Sequence, residues 1–175
     1  MKEFGGPVLF LDRNDINTDE IIPAKYLTEN TKMALQPFML EDLKLGGFDP
    51  CSATARQARV IVTRANFGCG SSREHAVWVF EVNKINVVIG ESFARIFRQN
   101  MFNCGMLAIE LPKIAIQKIF DFGGDREMSV RVLMREMVLH FSVGGKTMEV
   151  PFELNSLDEE LIMAGGWLAY ADKKY

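Results

Sequence analysis

Short apolar runs separated by polar, glycine-marked turns organise the first two thirds of the chain. Residues 7–11 read as a buried strand closed by Asp12-Arg13-Asn14-Asp15. Asn17-Thr18-Asp19-Glu20-Ile21-Ile22-Pro23 is a second polar-to-apolar turn, with Pro23 disfavouring helix at Ile22. Residues 24–59 form a long excursion, with a short helix over 38–43 stopped by Gly46-Gly47 and a mobile loop expected within 26–50. A strand over 60–63, a glycine-rich turn, a helix from 76 to about 84 and a strand over 86–90 follow. The pattern over 92–102 predicts an amphipathic helix, with Phe93, Ile96, Phe97 and Met101 near one face and Arg95, Arg98 and Gln99 off it. Gly105 ends it and 106–111 reads as a strand, so this stretch runs β-α-β-α-β, the order of a parallel sheet with right-handed crossovers.

The last third changes character. Pro112 opens a helix that Gly123-Gly124 breaks. Strands are predicted over 130–134, 137–143 and 147–150, the last two joined by a hairpin at Gly144-Gly145. Ser156-x-x-Glu159 fits a capping box for a final helix, interrupted by Gly165-Gly166. The fold class is α/β, a partly parallel core sheet with flanking helices and C-terminal strands, in one domain spanning residues 1–175.

Composition narrows the partners. With 48% hydrophobic and 25% charged residues among 175, the chain is ordinary globular material. A net charge of −3 gives no support for binding nucleic acid or an anionic membrane, and no apolar run is long enough to span a bilayer. The N-terminal segment lacks a signal-peptide core, which makes the cytoplasm the expected location. Cys51, Cys69 and Cys104 follow neither a disulfide nor a CxxC metal pattern; three separate thiols are the favoured reading over cluster ligation. With His75 and His140 the only histidines, no metal site is expected in this chain.

Chemistry concentrates in Asn66-Phe67-Gly68-Cys69-Gly70-Ser71-Ser72-Arg73-Glu74-His75-Ala76. A strand, a glycine-rich turn and a helix in succession gather backbone N–H groups, two hydroxyls and a guanidinium, a set suited to holding an anion. Ser71-x-x-Glu74 also fits a capping box, so Ser71 is expected at the helix start, either as a plain cap or as a hydroxyl facing the positive end of the helix dipole. His75 is expected to pack or hydrogen-bond within the helix, which weakens a Ser-His-Asp hydrolase reading. Neither the dinucleotide nor the P-loop fingerprint is complete, and Asp12, Asp15 and Asp19 read as turn formers rather than a calcium loop. Arg95 and Arg98 read as the solvated side of their helix.

That segment resembles the signature of the swivelling domain of aconitase-type hydro-lyases, most like the small subunits of 3-isopropylmalate dehydratase. Asn17-Thr18-Asp19-Glu20-Ile21-Ile22-Pro23-Ala24-Lys25-Tyr26-Leu27 and Glu91-Ser92-Phe93-Ala94-Arg95-Ile96-Phe97 resemble two further segments of that family, in order. The resemblance implies a β/β/α swivelling domain closing over a large subunit that carries a [4Fe–4S] cluster, with none held by this chain. It implies dehydration and rehydration of 2-isopropylmalate to 3-isopropylmalate in leucine synthesis. It makes Ser71 the base, places Ser72 and Arg73 on a substrate carboxylate, and makes Asp19 an acidic active-site position. The stretch after Tyr26-Leu27 contributes to substrate choice in the family; here Thr28 leaves related malates open, and the absence of arginine disfavours a homoaconitate substrate unless Lys25 or Lys32 partly substitutes. A non-catalytic anion-binding module of the same fold is the alternative of a different class, and an isolated small subunit can self-associate.

Overall fold

The computed structural model describes residues 2–175. Its centre is a seven-stranded sheet in the order β4-β3-β2-β1-β5-β6-β7. Strands β1 (Gly5–Phe10), β2 (Val60–Val62), β3 (Val87–Gly90) and β4 (Leu107–Glu110) pair in parallel. β2 and β3 are buried at every position, because helices connect parallel strands and cover both faces, so Val and Ile run on without alternation. β1 also pairs antiparallel through Gly5–Pro7 with β5 (Ser129–Leu133), which continues into β6 (Val138–Val143) and β7 (Lys146–Pro151). Here burial alternates: Leu139, Phe141 and Val143 are buried on β6 while Val138, His140 and Ser142 are only partly covered. The partly parallel sheet with C-terminal strands is the architecture expected from the sequence.

Among the described residues seven α-helices accompany it: α1 (Thr18–Ile21), α2 (Ala53–Gln57), α3 (His75–Val82), α4 (Arg95–Asn103), α5 (Lys113–Gly123), α6 (Ser156–Ala164) and α7 (Trp167–Lys174). Two of the shortest depart from the sequence reading. Asn17 caps α1 through a full capping box with Glu20, so the segment read as a turn completes one helical turn before Pro23. Ser52 caps α2, inside the stretch read as loop. The excursion also holds two 3-10 segments, Ala24–Tyr26 and Lys32–Phe38, and turns in place of the helix expected over 38–43, because it is the buried Leu35, Leu40 and Leu43 that anchor it.

Two helix starts shift. α4 begins at Arg95, because Phe93 is extended and bridges Phe67 instead of entering the helix. Ile96 then falls off the apolar face and stands 48% exposed, while Phe97, Met101 and Phe102 are buried. At α6 the cap is Asn155, whose side chain accepts the Asp158 N–H; Ser156 is already the first helical residue. Asp158 thereby lies inside, 3% exposed, paired with Arg98 of α4 at 2.7 Å. Arg98, read as solvated, is partly covered and ties the two helices together.

Candidate active site

The three segments that resemble the hydro-lyase family lie side by side above the C-terminal ends of the parallel strands. Backbone bonds join them. The Phe67 N–H donates to the Ser92 carbonyl (3.1 Å) and the Ala94 N–H to the Phe67 carbonyl (2.9 Å). On the other side, the Gly68 N–H donates to the Ile16 carbonyl (2.8 Å) and the Thr18 N–H to the Cys69 carbonyl (2.9 Å). The glycine-rich turn is therefore the middle strip of a small three-stranded patch, with isolated bridges Asn17–Cys69 and Phe67–Phe93. Its underside is the fully buried Phe67, whose ring meets Phe80, Phe93 and Phe97 at centroid distances of 5.5–6.2 Å.

Gly68 fixes how close the turn sits to α4. Its φ is +80°, and a Cβ there would lie 2.3 Å from the Phe97 ring, so a side chain is excluded on both conformational and steric grounds. Between turn and helix runs a cleft of about 210 Å³. Thr18, Gly70, Ser71, Ser72 and Arg73 form one wall; Ala94, Arg95, Ile96 and Phe97 form the other.

Ser71 and Ser72 are exposed on the cleft wall. Ser71 does not cap α3. That helix starts at His75, with Glu74 in helical conformation at the cap position and no capping side chain. The Ser71 carbonyl instead accepts a hydrogen bond from the Thr18 hydroxyl (2.9 Å), which ties the turn to α1 before α3 begins. A helix dipole acts mainly within the first turn, so the expected seat of Ser71 at a helix start is corrected. Two arginines, Arg73 and Arg95, are among the residues that line the same cleft. Positive charge nearby lowers the cost of a serine alkoxide by the same electrostatics.

Arg73 is largely covered and pairs with the exposed Asp19, so α1 and the turn hold one guanidinium between them. α1 is itself braced: Glu20, one residue on, accepts from Arg13 and from the Lys44 N–H (3.1 Å). These bonds, the Arg13 side chain first, hold the Glu20 carboxyl below its ordinary pKa despite partial burial. Lys25 and Thr28 lie outside the cleft lining; Lys25 sits 3.8 Å from Glu41 and Thr28 is exposed. His75 packs on Trp78 (4.6 Å), and its buried Nε2 has no partner among the described residues.

Thr18 and the α4 wall were missed by sequence reasoning. Thr18 lay inside a matched segment, but only the fold shows that its hydroxyl reaches Ser71. Arg95, expected on the solvated side of its helix, is exposed as expected and also borders the cleft. The cysteines occupy separate places: Cys51 before α2, Cys69 in the turn, Cys104 at the end of α4. Burial raises the Cys69 thiol and pushes Cys104 up to about 11, which disfavours the thiolate. Among the described residues no group of three His, Cys, Asp or Glu is placed to hold a metal ion. A larger cavity of about 790 Å³ beside β1 shares no lining residue with this cleft.

Comparison with known proteins agrees with the geometry. Residues 48–114 match the aconitase C-terminal domain family. A 3-isopropylmalate dehydratase small subunit of Deinococcus deserti is 38% identical over 159 residues, covering 90% of this chain and 81% of the relative. The chain belongs to this small-subunit family. Another member, from Halalkalibacterium halodurans, is 30% identical over 174 residues, 95% of this chain and 88% of its own. The fold is the family's as well: the crystal structure of a 3-isopropylmalate dehydratase from Methanocaldococcus jannaschii superposes with a TM-score of 0.78 at 28% identity, covering 99% of this chain and 95% of that one. The aconitase-type swivelling fold inferred from three segments therefore extends over the whole chain.

Proposed function

We propose that this chain is the small subunit of a two-subunit 3-isopropylmalate dehydratase, interconverting 2- and 3-isopropylmalate by loss and return of water in leucine synthesis. The observation that carries the reading is the cleft in which Ser71, Ser72 and Arg73 stand together, with Asp19 gripping Arg73 from behind. Membership of the small-subunit family supports the same substrate.

In this reading Arg73 and Ser72 hold a carboxylate of the acid, and Ser71, as its alkoxide, takes the proton from the carbon next to that carboxylate. The C–H electron pair becomes the new C=C bond as hydroxide departs from the neighbouring carbon. Carbon acids beside a carboxylate are very weak, so cationic groups at the developing charge must supply most of the assistance. Asp19, paired with Arg73, fixes the orientation of its guanidinium. In the rehydration half Ser71 gives its proton to the carbon that lost hydroxide, and hydroxide adds to the carbon that had lost the proton.

An iron–sulfur cluster, as aconitase-family membership suggests, would be held by the large subunit. When bound there it supplies Lewis-acid chemistry to the substrate hydroxyl. Location in the cytoplasm and action on the branched dicarboxylate belong to the same proposal.

Co-purified with its large subunit, the wild-type chain is expected to interconvert the two isopropylmalates. Ser71→Ala is expected to lower kcat by roughly 10³-fold while the complex still elutes as one species. A variant retaining near-wild-type turnover would remove Ser71 from the chemistry.

A further inference from the structure

The known components leave one half of the substrate unaccounted for on this chain. A 2-alkylmalate carries two carboxylates, and Arg73, already shared with Asp19, serves one of them in the reading above. The opposite wall presents a second guanidinium, that of Arg95. Among the described residues Arg95 is exposed and takes part in no ion pair and no side-chain hydrogen bond, as is also true of Arg56, Arg126, Arg131 and Arg135; of these five it alone lines the cleft.

Its position is electrostatically unfavourable for the fold. Arg95 is the first residue of α4, a nine-residue helix with no acidic residue in its first turn and no capping side chain. The positive end of the helix dipole disfavours a cation there, and the exposed guanidinium is left to solvent in the free chain. The cleft geometry accounts for it. Gly68 against Phe97 sets the two walls close, and the cleft of about 210 Å³ is of a size to hold a small dicarboxylate between Arg73 and Arg95. An anion arriving there would satisfy Arg95 and the uncapped start of α4 together.

We propose that Arg95 binds the second carboxylate of the substrate, making this wall of the small subunit a recognition element for dicarboxylates. The inference rests on the hydro-lyase reading and deepens it: selection for two carboxylates comes partly from this chain, not only from its partner.

The test uses the complex with the large subunit, in a Ser71→Ala background that blocks turnover, with binding measured by titration calorimetry. The probes are 2-isopropylmalate and 2-hydroxy-2,3-dimethylbutanoate, the same molecule with its carboxymethyl group reduced to methyl. Adding Arg95→Gln is expected to weaken isopropylmalate about thirtyfold, the scale of one lost charge-assisted hydrogen-bond pair, and to leave the monocarboxylate unchanged. Arg95→Lys should recover part of the loss. Equal affinity of both chains for isopropylmalate overturns the inference while leaving the hydro-lyase reading intact. So does parallel weakening of both probes, or loss of the large subunit on gel filtration, either of which would make Arg95 a structural or interface residue. Failure of isopropylmalate to bind even with Arg95 present would overturn the substrate reading itself, and the inference with it.

Discussion

The Thr18 hydroxyl crosses 53 residues of sequence to donate to the Ser71 carbonyl at 2.9 Å. It carries no chemistry, yet it ties Ser71, the proposed base, to α1. With the carbonyl held from α1, residues 71–73 remain outside α3 and present two hydroxyls and a guanidinium to the cleft. Thr18→Val keeps the shape and burial of the side chain and removes the bond. Its cost in stability should be about 1 kcal/mol, read from denaturant unfolding. The loss in kcat should be larger in proportion, roughly tenfold or more, because a small misplacement of a base is expensive in rate. A variant that loses stability but keeps kcat would reduce Thr18 to a packing residue. The sequence pattern Ser71-x-x-Glu74 suggested a different local outcome, a capped helix. Local capping energy and the cross-chain bond compete for the same few residues, and only the second is visible in three dimensions.

α1 is a single turn of helix, too short to persist alone, since forming one turn fixes several backbone angles for one hydrogen bond. Its stability is borrowed from the Asn17–Glu20 capping box and from Arg13, which bonds Glu20, the Lys44 carbonyl (2.7 Å) and the carbonyls of Asn14 and Asp15. Through α1 this network also places Asp19 against Arg73. The depressed pKa of Glu20 makes the support pH-dependent. A carboxyl whose folded pKa lies below its unfolded value stabilises the protein above the unfolded value and loses that contribution as pH falls through the folded one. The loss is therefore expected below about pH 4.5. Glu20→Gln should be less stable than wild type at neutral pH, and the gap should close as acid is added. Unfolding curves from pH 7 to pH 3 check this; a constant gap would mean that the Arg13–Glu20 charge pair contributes nothing. The acid-labile element is also the one that orients the candidate site.

Across the whole molecule, α4 is shared between the cleft and the C-terminal helices. Its first turn supplies Arg95 and Ile96 to the cleft wall, and Arg98, one turn on, pairs with the buried Asp158 of α6. Asn155 donates to the same carboxylate (2.7 Å), and Glu110 at the end of β4 lies 3.7 Å from the Arg98 guanidinium. Removing the cation leaves a buried carboxylate with one remaining side-chain donor. Arg98→Met is expected to cost about 2–3 kcal/mol and to speed amide exchange through α6 and α7 before the parallel sheet responds. Exchange mapped by mass spectrometry would show this, and uniform loosening of the sheet would contradict it. Since α4 also lines the cleft, KM should rise in the same variant.

Much of the architecture was legible because burial on both faces forces unbroken Val and Ile runs such as 60–62 and 87–89, and helices between them leave a parallel sheet as the arrangement. The glycine-rich turn was legible for a similar reason: Gly68 and Gly70, at φ +80° and +94°, occupy backbone conformations that other residues rarely adopt, so they mark the site in the letters themselves. The one-residue shift at α6 and the late start of α4 were not. Asn155 competes with Ser156 for the same cap, and Phe93 leaves its helical period because an extended bridge to Phe67 and a buried aromatic cluster outweigh one turn of α4. The sequence by itself determined the sheet class, the place of the turn and the serine–arginine pair, since backbone sterics and hydrophobic period act locally. Only the tertiary structure decided that Ser71 stands clear of its helix, that Arg98 reaches the buried Asp158 and that Arg95 borders the cleft. Those outcomes depend on which distant group reaches a carbonyl, a carboxylate or an aromatic ring first, and that is a matter of packing.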